Sequence, residues 1–116
     1  MQGERDAKES LSARYEEAFR GLLKQIKTDL KIENLNYVIG RLSDSGSGKR
    51  EWDKIREIQQ KLGEAGPRAA WVNTGDLNDD NTTRDGTPSK GNNHLHYSEK
   101  GYQLLAERFA SKAIEL

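Results

Sequence analysis

Two histidines, His94 and His96, lie in the segment that leads into the last predicted helix. A histidine held on a loop next to a helix N-terminus can act as the general base that activates a serine nucleophile. Two other interpretations stay open: both imidazoles could bond only to nearby backbone groups, or they could bind a metal ion. The carboxylates that could complete a metal site are those of Asp79, Asp80 and Asp85, although their spacing does not form a firm ligand set.

The elements that must position these histidines alternate between helix and strand patterns. Apolar residues at gaps of three and four predict a helix over residues 8–31, and an apolar, β-branched run predicts a strand over residues 35–42 that is buried on both faces. A helix over residues 50–65, a strand over residues 69–73 and a terminal helix from the N-cap Ser98 follow. This alternation indicates an α/β fold with a parallel sheet. Two strands and three helices leave a sheet edge uncovered, so the pattern predicts an incomplete domain.

A long polar loop, residues 74–93, separates the second strand from the histidines. It is rich in Gly, Asn, Asp and Thr, and loops of this length are usually functional or disordered. Ligands of open α/β sheets bind beyond the carboxyl ends of the strands, where this loop begins. The sequence therefore predicts the functional site at that end of the sheet.

The composition excludes several classes of protein. Over 116 residues, 19 basic and 19 acidic side chains cancel, which argues against a nucleic-acid partner. No run of apolar residues is long enough to predict a membrane span, and the N-terminal residues lack the apolar core of a signal peptide. Without cysteine there is neither a disulfide framework nor thiol chemistry, which leaves the compartment open. We expect no cofactor and no membrane partner, within a single partial domain over residues 1–116.

Three separated segments resemble one known family. The residues Gln2-Gly3-Glu4-Arg5-Asp6-Ala7 resemble the Gln-Gly-Glu-x-Asp block of SGNH hydrolases of the sialate O-acetylesterase and acetylxylan esterase branch. The penultimate strand and helix of that branch are matched by Tyr37-Val38-Ile39-Gly40-Arg41-Leu42-Ser43-Asp44, by Trp52 and by Ile55-Arg56-Glu57-Ile58-Gln59 of this chain, which resemble them. The branch's histidine block and last helix are likewise resembled by His96-Tyr97-Ser98-x-x-Gly101-Tyr102 and Arg108-Phe109-Ala110. The three segments stand in the family's order, and they cover nearly the whole chain.

The resemblance implies a three-layer, flavodoxin-like SGNH hydrolase fold and the hydrolysis of acetyl esters on carbohydrates. It implies that His96 is the catalytic base and that Gln2 belongs to the block that helps to form the oxyanion hole, which stabilises the charge developing on the ester carbonyl. Gly3 would allow close backbone approach, and Glu4 would support the block. Glu4 and Asp6 could equally serve only as negative charges at the start of the first helix.

Two departures from the family pattern stand out. The family often has an aspartate three residues before the histidine, and this chain has Asn93, which can orient an imidazole but supplies no charge. Asp76, Asp79, Asp80 or Asp85 could substitute for it. The family's nucleophilic serine lies on a block after its first strand, and none of the serines of this chain has that context. We therefore expect the C-terminal part of an esterase domain, with little activity by itself.

A different class of function also fits an open sheet edge. The chain could be a non-catalytic module that keeps the esterase-like scaffold and associates with itself, since homodimers are the commonest soluble oligomers. The partner that covers the edge would then be a second copy, whereas the esterase interpretation calls for a complementing N-terminal segment.

Overall fold

The computed structural model describes residues 2–78 and 96–116 of the chain. Its elements are, in order, α1 (Glu4–Lys8), α2 (Ser12–Leu30), β1 (Tyr37–Gly40), α3 (Arg50–Gly63), β2 (Ala69–Val72) and α4 (Glu99–Glu115). The predicted loop over residues 74–93 lies outside the described residues from position 79 onward.

The two strands form a parallel sheet, as the alternating pattern predicts. Tyr37 is in register with Ala69 at one end and Gly40 with Val72 at the other, and α3 makes the crossover between the strands. A parallel pair needs such a crossover, because a tight turn joins only antiparallel strands. The chain is therefore an α/β protein, with one two-stranded parallel sheet in its described part.

The helix predicted over residues 8–31 is confirmed as α2, and an unpredicted short helix, α1, precedes it, so the described chain has four helices where three are predicted. Ser10, whose φ of 58° is left-handed, lies between the two helices. α1 has five residues and one buried side chain, that of Ala7. A helix this short carries almost no apolar periodicity, which is why the pattern misses it.

The first strand is shorter and less buried than the predicted run over residues 35–42. Only Ile39 of β1 is fully buried, at 7% exposure, whereas the pattern predicts burial on both faces. The reason is that β1 pairs with β2 on one side and borders a groove of about 500 Å³ on the other. Phe19 and Leu22 of α2 form the opposite wall of this groove, and Leu22 stays 52% exposed.

The helices cover the sheet unequally. Both α3 and α4 pack on β1 and β2 but not on each other, so they lie on opposite faces of the sheet. α1 and α2 pack on α3. A buried apolar cluster of Ala7, Leu42 and Ile55 lies where α1 meets the carboxyl end of β1. None of the helices in the described ranges is long and apolar enough to cross a membrane.

Candidate functional site

The segments that follow β1 and β2 are joined at the carboxyl end of the sheet, where the sequence predicts a site. Asn78, after β2, donates from Nδ2 to Oδ1 of Asp44, after β1, at 2.5 Å. Arg56 of α3 donates from Nη1 to the carbonyl oxygen of Leu42 at 2.6 Å. These polar contacts tie both strand ends and the crossover helix together, so this end of the sheet is a defined platform.

The Gln2 block, residues 2–4, lies against this platform from the α1 side. Gln2 is exposed and borders the groove beside β1, and its carbonyl oxygen accepts from Nε2 of Gln59 at 3.0 Å. Gly3 is buried with a φ of 112°, which L side chains rarely adopt. Glu4 is half-buried and begins α1. The backbone of the block is thus held in place while the Gln2 side chain faces outward.

The histidine segment approaches from the α4 side. His96 is exposed, whereas its neighbour Tyr97 is 8% exposed and forms an antiparallel bridge with Asn78. The backbone N–H of Ser98 donates to the carbonyl oxygen of Leu77 at 3.1 Å. The exposed imidazole therefore stands on a backbone that is anchored immediately after it.

The start of α4 fixes this segment further. Ser98 is the N-cap, as the sequence predicts, and its Oγ accepts from the backbone N–H of Gly101 at 2.9 Å. Gly101 packs so closely on the segment that follows β2 that a Cβ there would lie 2.2 Å from the carbonyl oxygen of Leu77. The close approach explains the glycine in this position of the helix.

Both segments lie at the carboxyl end of the sheet. The Gln2 carbonyl bonds Gln59, which also bonds the Leu42 N–H just after β1, and Tyr97 forms its bridge with Asn78 after β2. Burial raises the pKa of the Tyr97 hydroxyl, and the negative charge of Glu4 acts in the same direction.

Asp76, one of the carboxylates that could substitute for the missing triad aspartate, is engaged elsewhere. Both of its oxygens accept from Arg108 of α4, at 2.7 and 2.6 Å, and Arg108 also donates to the carbonyl oxygen of Asn73 at 2.8 Å. The Arg108 guanidinium lowers the pKa of this carboxyl. Asp76 therefore anchors α4 to the end of β2, and no hydrogen bond joins it to His96 within the described chain.

The other candidate partners of the imidazole fall outside the described residues. Asn93, His94, Asp79, Asp80 and Asp85 all belong to the range 79–95. Within residues 2–78 and 96–116, no group of three or more His, Asp or Glu side chains could hold a metal ion. The metal interpretation depends on residues of the other range, so it stays a hypothesis.

An open cleft of about 1040 Å³ borders Glu4. It runs between α1 and the segment that leads into α3, and Trp52 contributes an aromatic wall. Its lining carries charges of both signs, with Lys8, Lys49 and Arg50 beside Glu9 and Glu51. This cleft offers room for a polar ligand next to the platform.

Reasoning from the sequence misses the polar residues that organise the platform. Gln59 is 1% exposed, and its amide bonds the Gln2 carbonyl and the end of β1 together. One signal was available, since a glutamine occupies a position on the apolar side of the predicted helix with Ile55 and Leu62. A buried amide is retained only where its hydrogen bonds are satisfied, so such a residue marks a junction.

Comparisons with known proteins give one match. A family model described as "carbohydrate esterase, sialic acid-specific acetylesterase" matches residues 1–115. No curated protein matches the chain, and no solved structure matches it. The matched range contains the Gln2 block, the platform and the histidine segment.

Proposed function

Because the chain belongs to the carbohydrate esterase family of sialic acid-specific acetylesterases, we propose that it carries the base and the oxyanion-binding block of a carbohydrate O-acetylesterase. The substrate class that the family implies is an acetylated carbohydrate. The sheet and helices are the C-terminal part of a three-layer SGNH hydrolase fold in this proposal. The observation that carries it is the family match, which spans the Gln2 block and the histidine segment together.

The proposed reaction assigns one role to each segment. A serine hydroxyl attacks the acetyl carbonyl carbon while His96 accepts its proton, and donors of the Gln2 block stabilise the resulting oxyanion. The protonated imidazole then gives the proton to the departing sugar oxygen, which leaves an acetyl-serine. His96 activates a water that attacks this ester, so that acetate leaves and the serine is restored. Asn93 would orient the imidazole without adding charge.

The nucleophilic serine is not assigned to the described residues. Four of the described serine hydroxyls are hydrogen-bonded to other groups. Ser12 donates to Glu51, Ser43 donates to Ser45, Ser98 caps α4 and Ser111 donates to Glu115. No hydrogen bond within the described chain joins any of them to His96. We therefore propose that this chain has little esterase activity by itself.

Hydrolysis of 4-nitrophenyl acetate tests this proposal. We expect the purified chain, His96→Ala and the matched control His94→Ala all to stay at the buffer rate, with no serine labelled by a fluorophosphonate probe. Turnover by the parent chain that only His96→Ala abolishes would support His96 as the base and overturn the proposed inactivity. Turnover that survives both Gln2→Ala and His96→Ala would overturn the assigned roles.

The groove beside β1 favours a second candidate function, a self-associating module. β1 pairs on one side only, and the groove that borders its other side is lined by apolar groups of α2, of which Leu22 is 52% exposed. An unpaired strand edge is a template for another strand. A second copy could pair its own β1 there and form one continuous sheet across a two-fold axis.

Sedimentation velocity over a wide concentration range tests the self-association. A dimer that Val38→Lys, at the groove, dissociates while the exposed-surface control Lys24→Glu does not would support it. A monomer of 13.1 kDa at every concentration would remove this candidate.

A further inference from the structure

A buried amide lies at the centre of the platform. Gln59 of α3 is 1% exposed, beside the apolar cluster that contains Ile55 and Leu42. A buried amide without compensating hydrogen bonds destabilises the folded state strongly. Its bonds are therefore the reason that a glutamine is tolerated at this position of the helix.

Three segments far apart in sequence share this one amide. Oε1 accepts from the backbone N–H of Leu42 at 2.7 Å, and Nε2 donates to the Gln2 carbonyl oxygen and to the Tyr15 hydroxyl, both at 3.0 Å. Burial raises the pKa of the Tyr15 hydroxyl, and its oxygen accepts this bond through a lone pair. The amide thus uses both of its hydrogens and its carbonyl oxygen.

The chemistry of the partners determines how the amide is turned. The Leu42 N–H can only donate, so it must face Oε1, and the Gln2 carbonyl can only accept, so it must face Nε2. Because the amide is planar, the Gln2 carbonyl and the end of β1 are held at a fixed separation. A flipped amide would turn its NH2 group towards the Leu42 N–H and its oxygen towards the Gln2 carbonyl oxygen, so neither hydrogen bond could form.

The backbone after Gln2 fits closely against the same amide. Gly3 has a φ of 112°, and a Cβ there would lie 3.1 Å from Nε2 of Gln59 and 3.0 Å from Cγ2 of Ile55. The absence of a side chain lets the block approach the helix closely enough for the Gln2 carbonyl to bond. Glycine and glutamine therefore act as a pair.

We propose that Gln59 is the positioning residue of the oxyanion-binding block, which it aligns with the end of β1 through one shared amide. The inference rests on the proposed function, in which the Gln2 block stabilises the oxyanion. Gln59 does not touch the substrate and acts through the backbone of Gln2. Such alignment matters because oxyanion donors stabilise charge only when they are aimed in advance at the position it will occupy.

Three variants separate the two halves of the amide. Gln59→Glu keeps the oxygen that accepts from Leu42 but, once ionised, cannot donate to Gln2. Gln59→Leu removes both functions at similar size. Gln60→Leu is the matched control, because Gln60 is the next residue of α3 and bonds only Arg41 and Glu64.

Nuclear magnetic resonance of the labelled chain provides the readout. In Gln59→Glu at neutral pH, we expect the Gln2 carbonyl carbon and Gly3 nitrogen shifts to move while the Leu42 amide keeps its protection from hydrogen exchange. In Gln59→Leu, we expect that amide to exchange about tenfold faster as well, the loss expected for one buried hydrogen bond. Gln60→Leu should change neither signal.

A pH titration of Gln59→Glu distinguishes positioning from packing. As the introduced carboxyl gains a proton, it can donate again, so the Gln2 and Gly3 signals should return towards those of the parent chain. A packing effect would not reverse with pH. If Gln59→Leu does not fold, the titration alone decides.

Two results would overturn the inference: unchanged Gln2 and Gly3 signals in Gln59→Glu at every pH, or equal changes in Gln60→Leu. Neither readout involves ester hydrolysis. The proposed function fails separately, through turnover that does not depend on Gln2 and His96.

Discussion

The Gln2 block and the His96 segment are held against the same end of the sheet by different physical means. A buried amide bonds the backbone of the block from beneath, and Gly3 fits closely on it. The histidine segment is held by its neighbours, because Tyr97 is buried and Ser98 caps α4. The backbone of the block is thus packed on the core at the buried Gly3, whereas the imidazole is exposed on an anchored backbone.

Because the two segments are held differently, we expect substitutions in them to change stability differently. A change in the block disturbs buried polar bonds, which are costly to leave unmade. A change of the His96 side chain removes exposed atoms and leaves the anchors intact. The contrast predicts a graded series of effects on the free energy of unfolding.

The largest effect is expected for Gly3→Ala. The positive φ of 112° is strained for alanine, and its Cβ would lie 3.0 Å from Ile55 and 3.1 Å from Gln59. Strain of about 1–2 kcal/mol and crowding of about 1–3 kcal/mol together should lower the free energy of unfolding by about 2–5 kcal/mol. Urea denaturation followed by circular dichroism measures it.

Gly21→Ala is the control for that measurement. Nothing lies within 4 Å of the Cβ that this change adds in α2, so it should stabilise the chain by up to about 1 kcal/mol through helix propensity. Equal midpoints for the two variants would contradict the close packing of the block.

Local signals predict part of this architecture. Tyr37-Val38-Ile39 marks β1, and Ser98 marks the start of α4, because strand propensity and N-capping are written in a few consecutive residues. The short helix α1 carries no comparable signal, because five residues with one buried side chain show no apolar periodicity. The left-handed φ of Ser10, between α1 and α2, has no signature of residue type either, since Ser is not a residue that favours this conformation.

The organisation of the candidate site was less accessible to such reasoning. The amide of Gln59 joins residues 57, 44 and 17 positions away, so its role exists only once the chain is folded. Asp76, one of the carboxylates that could substitute for the aspartate of the family pattern, is likewise paired with Arg108, 32 positions away, which only the fold reveals. Residue type and spacing identify candidates, and tertiary contacts decide which of them are already engaged.

An intermediate effect is expected for the ion pair that anchors α4. A double-mutant cycle of Arg108→Ala and Asp76→Ala should give a coupling energy of about 1 kcal/mol at neutral pH, near the upper end for exposed pairs because the geometry is bidentate. Solvent screens the pair, since the two side chains are 34% and 55% exposed. Thermal or urea unfolding of the four proteins measures the coupling.

The pH dependence of this pair has a definite sign. Arg108 lowers the pKa of Asp76 in the folded chain below its unfolded value of about 3.9. The stabilisation is therefore complete above that unfolded value and is lost as the pH falls through the lower, folded pKa. The stability difference between the parent chain and Arg108→Ala should shrink below about pH 4, and a difference that grows there would contradict the pairing. Lys100→Ala, an exposed cation of the same helix, should show no such dependence.

The smallest effect on the free energy of unfolding is expected for His96→Ala, and it is best compared with the effect of Tyr97→Ala at the neighbouring residue. The imidazole is exposed, so its removal should change the free energy of unfolding by less than about 0.5 kcal/mol. Tyr97→Ala, one residue further, removes a ring that is 8% exposed and should cost about 3 kcal/mol. If His96→Ala costs as much as Tyr97→Ala, the imidazole is a structural side chain bonded to the backbone and not a base.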